Sequence, residues 1–121
     1  MKAPSQLLLK LLALAATASA SWALFINFCN LVYQCGCRSL WAGAADHCNI
    51  HTLEGPHCPW CVDAWTGPLV SGLVTLAQAL VLLVPGRATL LTRSVAAALS
   101  LPVVGGALAL IFGVARGYWH A

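Results

Sequence analysis

Three long stretches of this chain hold apolar side chains with no charge among them: Leu11 to Tyr33, Ala64 to Val84 and Ser94 to Val114. The hydrocarbon layer of a membrane is about 30 Å thick and a helix rises about 1.5 Å per residue, so about 20 apolar residues cross it. Each stretch reaches that length. In lipid a backbone must satisfy its own hydrogen bonds, so all three are predicted to be helical. Pro68 falls in the first turn of the second span, where no amide donor is needed. Pro85-Gly86 ends that span, and Pro102 is expected to kink the third. The fold expected is all-α and membrane-integral: one domain over residues 1–121, spans at about 11–33, 64–84 and 94–114, and a polar loop at 34–63.

Composition agrees. Apolar residues make up 60 % of the 121 and charged residues 7 %, where a soluble domain carries roughly a quarter charged. So few charges cannot cover a water-facing surface, which argues against a soluble enzyme. The net charge of +3 is scattered. No basic run is interleaved with aromatics, so no nucleic-acid partner is expected.

The charges also choose an orientation. Lys2, Lys10, Arg87 and Arg93 fall on one side, with Arg38 and Arg116 on the other beside Asp46, Glu54 and Asp63. The positive-inside rule puts the N-terminus in the cytoplasm and exports the 34–63 loop. A cleaved signal peptide competes for the first span, with Ala18-Ser19-Ala20 as a small-x-small cleavage pattern. The apolar run continues past it to Phe28, which favours an uncleaved anchor. Both versions export the loop.

The loop concentrates the chemistry. It holds Cys35, Cys37, Cys48, Cys58 and Cys61, with His47, His51 and His57. Cys58-Pro59-Trp60-Cys61 is a C-x-x-C ahead of a predicted helix, whose N-terminus stabilises thiolates. Cys35-Gly36-Cys37 is a C-x-C in which glycine lets both sulfurs turn to one side. Val62 follows Cys61, so the C-x-x-C-H of covalent haem attachment is absent. Cys29, near the outer end of the first span, reads as a small packing residue.

Three uses compete. One is a disulfide staple for an exported loop without a core. It leaves an odd cysteine unless Cys29 joins, and it does not account for the histidines. The second is a transition-metal site, Zn or Cu, drawn from Cys35, Cys37, Cys48, His51, His57, Cys58 and Cys61. Cys35, Cys37, Cys58 and Cys61 could form a tetrahedral tetrad, and thiolate also suits Cu(I). The third is thiol–disulfide exchange, with Cys58 and Cys61 as the reactive pair. In outline this arrangement is similar to the membrane disulfide-forming enzymes of the vitamin K epoxide reductase and quinone-linked periplasmic types. They too hold a C-x-x-C at the start of a membrane helix and a second cysteine pair in an outer loop. The likeness covers a four-residue pattern and a topology, and those families have four or more spans where this chain has three. Metal binding, as a metal-handling or accessory subunit, accounts for most of the loop.

The helix faces add a partner question. Gly105, Ala109, Gly113 and Gly117 recur at four-residue steps, a stripe that lets another backbone approach. Gln78, Asn27 and Asn30 need polar neighbours, and three helices offer little interior. A membrane partner or homo-oligomer through Gly105, Ala109 and Gly113 is therefore expected. Trp41, Trp60, Trp65, Tyr118 and Trp119 fit an interfacial aromatic belt on the loop side. No paired carboxylates, phosphate loop or Ser-His-Asp set suggests hydrolytic catalysis.

Overall fold

The structure, a computed structural model, describes the backbone of residues 2–120 and the side chains of 4–120. The Lys2 side chain, counted above for orientation, lies outside them. Three helices are long and apolar enough to cross a membrane. Helix α1 runs over Lys2–Tyr33 and α2 over Thr66–Leu83. The third crossing is interrupted: α3 at Leu90–Ser100, a π-helical turn at Leu101–Gly105, then α4 at Gly106–Ala115. Pro102 sits at the start of the π-turn. Without an amide hydrogen it cannot continue the ladder, and the turn widens locally rather than breaking.

Each crossing buries a narrow ridge. In α2 it is Thr66, Val70, Val74, Gln78 and Leu82, at four-residue steps. In the third crossing it is Arg93, Ala97, Leu101, Gly105, Ala109 and Gly113. Gly67, Ser71 and Ser100 are buried beside these ridges, and most of the remaining surface is apolar and outward-facing, which in lipid carries no penalty.

Gln78 shows how the polar residues are housed. It is fully buried, and its Nε2 donates to Ser21 Oγ at 2.7 Å on α1 and to the Ala97 carbonyl at 3.2 Å on α3. Asn27 donates to Ser39 Oγ at 2.8 Å, and Asn30 Oδ1 accepts from the Gly36 amide at 2.9 Å. Within the three helices the amide nitrogens of Gln78 and Asn27 find partners, while Gln78 Oε1 and Asn27 Oδ1 are buried without one. Arg93 is also buried. Its guanidinium donates to the carbonyls of Leu82 and Val84, capping the C-terminal end of α2, where a positive charge offsets the helix dipole.

The small-residue stripe is filled from within. Phe28 lies against Gly105, Tyr33 OH donates to the Ala109 carbonyl at 2.6 Å, and the Trp119 ring covers Gly113. Gly117 does not extend the stripe. At φ +63° it turns the chain so that Trp119 folds back. One end of the bundle carries the 34–65 segment and the C-terminal turn Tyr118–His120; Arg87 and Arg93 lie toward the other.

Candidate metal centre

The 34–65 segment folds as short 3-10 turns, Leu40–Ala42, Ala44–His47 and Asn49–His51, joined by extended residues. It is anchored where α1 stops. Gln34 takes a positive φ of 49° while its amide still bonds the Asn30 carbonyl at 2.7 Å, and the chain reverses over the helix end. Gly36 follows at φ +94°. A Cβ there would overlap the His47 carbonyl oxygen, so glycine is what lets the Cys35–Cys37 stretch lie against Cys48.

Asn49 ties the pieces together. Its amide donates to the Cys35 carbonyl at 2.7 Å, and its Oδ1 accepts the Cys58 amide at 2.7 Å. Its Nδ2 donates to Tyr118 OH at 2.8 Å, and that hydroxyl donates to the Tyr33 carbonyl at 2.6 Å. Within the C-x-x-C, the amides of Cys61 and Val62 both bond the Cys58 carbonyl at 3.1 Å.

This folding brings all six cysteines together as free thiols. Cys29 Sγ lies 3.1 Å from Cys58, 3.8 Å from Cys35 and 4.0 Å from Cys61; Cys37 lies 4.0 Å from Cys61. Four groups of three have sulfurs within 4.8 Å of one another and could hold a metal ion: Cys29-Cys35-Cys58, Cys29-Cys37-Cys61, Cys35-Cys37-Cys48 and Cys48-Cys58-Cys61. Five of the thiols are buried and Cys61 is half-buried.

Aromatic rings wall the cluster. Trp60 is 2 % exposed, stacked on Phe25 at 4.9 Å between centroids and edge-on to Tyr33 at 5.3 Å. Trp60 therefore belongs to the core and not to the interfacial belt, a role left to exposed Trp41 and Trp65. The burial has electrostatic consequences. It pushes the Cys37 and Cys48 thiols up, because an apolar surrounding disfavours thiolate. A hydrogen bond from Cys29 lowers Cys58, and hydrogen bonds from Cys29 and Cys58 bring Cys61 down to about 5. The C-x-x-C thiols are thus the acidic members of the set.

Cys29 corrects the sequence reading. It packs in the buried core and at the same time belongs to two of the four sulfur groups. The histidines stand apart. His51 Nε2 meets the Ala45 carbonyl at 3.0 Å and His57 Nε2 the Thr52 carbonyl at 2.9 Å, and His47, His51, His57 and His120 are all exposed. Among the described residues the groups contain cysteine only. The Cys35-Cys37-Cys58-Cys61 tetrad is split, since Cys35 and Cys61 share no group, nor do Cys37 and Cys58. Asn49 went unnoticed in sequence. One signal was available for Cys29, which shares the four-residue ridge of Ser21, Phe25 and Tyr33. Comparison with known protein families, with characterised proteins and with solved structures gives no match for this chain.

Proposed function

We propose that this is a membrane protein that binds a transition metal, Zn or Cu, through a cysteine cage at one end of its three spans, as a metal-handling or accessory subunit. The ligands are Cys29, Cys35, Cys37, Cys48, Cys58 and Cys61. The observation that carries this is the meeting of six thiols, drawn from α1 and three separate stretches of loop, in one buried cluster. Thiolates crowded at that density repel one another and are costly to bury, and a bound cation removes both penalties. A disulfide staple needs pairs and gives no reason for each thiol to have several sulfur neighbours. Exchange with a partner protein needs an accessible attacking thiolate; Cys58 is fully buried, which leaves half-buried Cys61 as the member of the pair that a partner could reach. The stripe through Gly105, Ala109 and Gly113 is occupied internally, so a partner of the subunit meets a lipid-facing side.

Full-length protein purified in detergent without chelator is expected to carry at least one equivalent of Zn or Cu by elemental analysis, and His51→Ala and His57→Ala should keep it. Less than about a tenth of an equivalent, with the thiols oxidised, would overturn this function.

The charge distribution supports an exported cage. Leu53 is fully exposed at the tip of the loop. A Leu53→Cys variant should react with an impermeant maleimide on intact cells. Reaction only after permeabilisation would reverse the orientation and put the cage in a reducing compartment.

A further inference from the structure

We infer that the cage takes four copper(I) ions as one cluster of four metals and six bridging thiolates. This rests on the metal-binding function above and gives it a metal and a count.

The argument is the connectivity of the sulfurs. Every cysteine belongs to two of the four groups, and any two groups share one cysteine. Three pairs share no group: Cys29 with Cys48, Cys35 with Cys61, and Cys37 with Cys58. This is the pattern of an octahedron, in which each vertex neighbours four others and faces the sixth across the centre. The four groups are alternate triangular faces of it; the same pairs also close the other four faces within 4.8 Å, but ions on faces that share an edge would lie only about 1.9 Å apart, so alternate faces alone can fill together.

Size and geometry then select the occupant. A metal–sulfur bond of about 2.3 Å, with the ion in the plane of three sulfurs, separates those sulfurs by about 4.0 Å. Four of the twelve sulfur contacts lie at 3.1, 3.8, 4.0 and 4.0 Å and the others within 4.8 Å, so on loading the Cys29–Cys58 pair must open and the wider pairs must close slightly. A single ion at the centre of such an octahedron would sit about 2.8 Å from every sulfur, too far for a bond of about 2.3 Å. A tetrahedral four-cysteine zinc site needs four sulfurs that are all neighbours. Any four vertices of an octahedron include an opposite pair, so no such set exists in the cage. Iron–sulfur clusters spread their thiolates around a sulfide-filled core, and sulfurs in contact with one another leave no space for one.

Four ions on alternate faces satisfy every sulfur and every ion. Each ion takes three thiolates, each thiolate bridges two ions, and any two ions share one sulfur. Copper(I) has a filled d shell and accepts three thiolates, whereas zinc seeks a fourth ligand. No histidine joins the groups, and five of the six cysteines are buried, which leaves little access for water as that ligand except beside half-buried Cys61. Loading is an exchange without electron transfer: four Cu(I) ions bind the thiolates and displace the protons of those cysteines still in the thiol form, and four positive charges on six thiolates leave the cluster at minus two. Ions at the centres of alternate faces lie about 2.7 Å apart, close enough to scatter off one another in X-ray absorption.

The test is titration of the metal-free, reduced, full-length protein in detergent with Cu(I) acetonitrile complex under anaerobic conditions, against a chromophoric Cu(I) chelator. Metal content is read by elemental analysis and native mass spectrometry, and the product by X-ray absorption. The result expected is one cooperative step to four copper ions per chain, three sulfurs per copper and a copper–copper distance of about 2.7 Å. His57→Ala should load identically. Cys48→Ser, with helical content checked by circular dichroism, should lose the cooperative four-ion step, because Cys48 lies in two of the four faces. A plateau at one or two ions, or copper–sulfur scattering with no copper–copper distance, overturns the cluster while leaving the metal-binding function standing. Failure to hold either copper or zinc overturns both.

Discussion

Cys29→Ser is expected to strip most of the metal from the protein while leaving its three helices in place. Cys29 lies on α1 one turn before Tyr33, outside the loop, and its sulfur touches those of Cys35, Cys58 and Cys61. Serine is nearly isosteric, so packing against Tyr33 and Trp60 survives, but a hydroxyl is a poor ligand for a soft metal. Loss of a ligand that reaches two metal groups should lower the affinity by more than the roughly 10- to 100-fold typical of a supporting residue. The measurement is metal content by elemental analysis, paired with circular dichroism in detergent. Cys29→Ser with undiminished metal would return Cys29 to the packing role that its position in an apolar helix suggests, and would confine the site to the loop.

Gly36→Ala is expected to unfold the cage without touching a sulfur. At φ +94° an L side chain is strained by about 1–3 kcal/mol. The added methyl would also overlap the His47 carbonyl, a backbone atom that cannot move alone. The Cys35–Cys37 stretch must then leave Cys48, and a group of three sulfurs is lost. Two readouts should move together: metal content falls, and the normally buried thiols of Cys37 and Cys48 react with a thiol reagent within minutes. Gly55→Ala is the control. Gly55 has a φ of +90°, but open space surrounds its Cβ position, so the variant bears the backbone strain alone and should keep its metal. Equal loss from both variants would mean that general loosening of the loop, and not the contact between Gly36 and His47, governs the site.

The cage has a physical relation to the membrane fold. Its first ligand is on a spanning helix, and its C-x-x-C leads directly into α2. Its aromatic wall includes Tyr33, whose hydroxyl reaches Ala109 on α4, and Tyr118, which bonds back to Tyr33. All three crossings thus contribute to the positions of the sulfurs. A soluble loop of this composition lacks the apolar mass to hold thiols together. Here the helix ends supply it. Binding and membrane packing should therefore be coupled, with metal raising the resistance of the helix bundle to denaturing detergent.

The sequence by itself determined the three crossings, though α1 and the third helix begin earlier than their uncharged runs, at Lys2 and Leu90. Helix formation in lipid depends on local run length, because each backbone group bonds a partner four residues away. The stop at Pro85-Gly86 and the irregular turn at Pro102 are equally local, since proline acts on its own turn. The concentration of thiols in residues 34–63 was also visible, because composition is a local property. Which thiols meet was a tertiary matter. Cys29 and Cys58 are adjacent in space and 29 residues apart in sequence. Their meeting depends on the face that α1 buries, on a reversal at Gln34, on a left-handed Gly36, and on Asn49 joining Cys35 to Cys58. Of these, only the face that α1 buries leaves a periodic trace, in the four-residue ridge of Ser21, Phe25, Cys29 and Tyr33. Spacing favoured the motif tetrad of Cys35, Cys37, Cys58 and Cys61, and proximity along the chain favoured the histidines. Three-dimensional packing divided the tetrad between opposite corners and turned His51 and His57 toward backbone carbonyls. It also brought in Cys29, because side chains are selected as neighbours by the surfaces that bury together, and those surfaces are assembled from residues far apart in the chain.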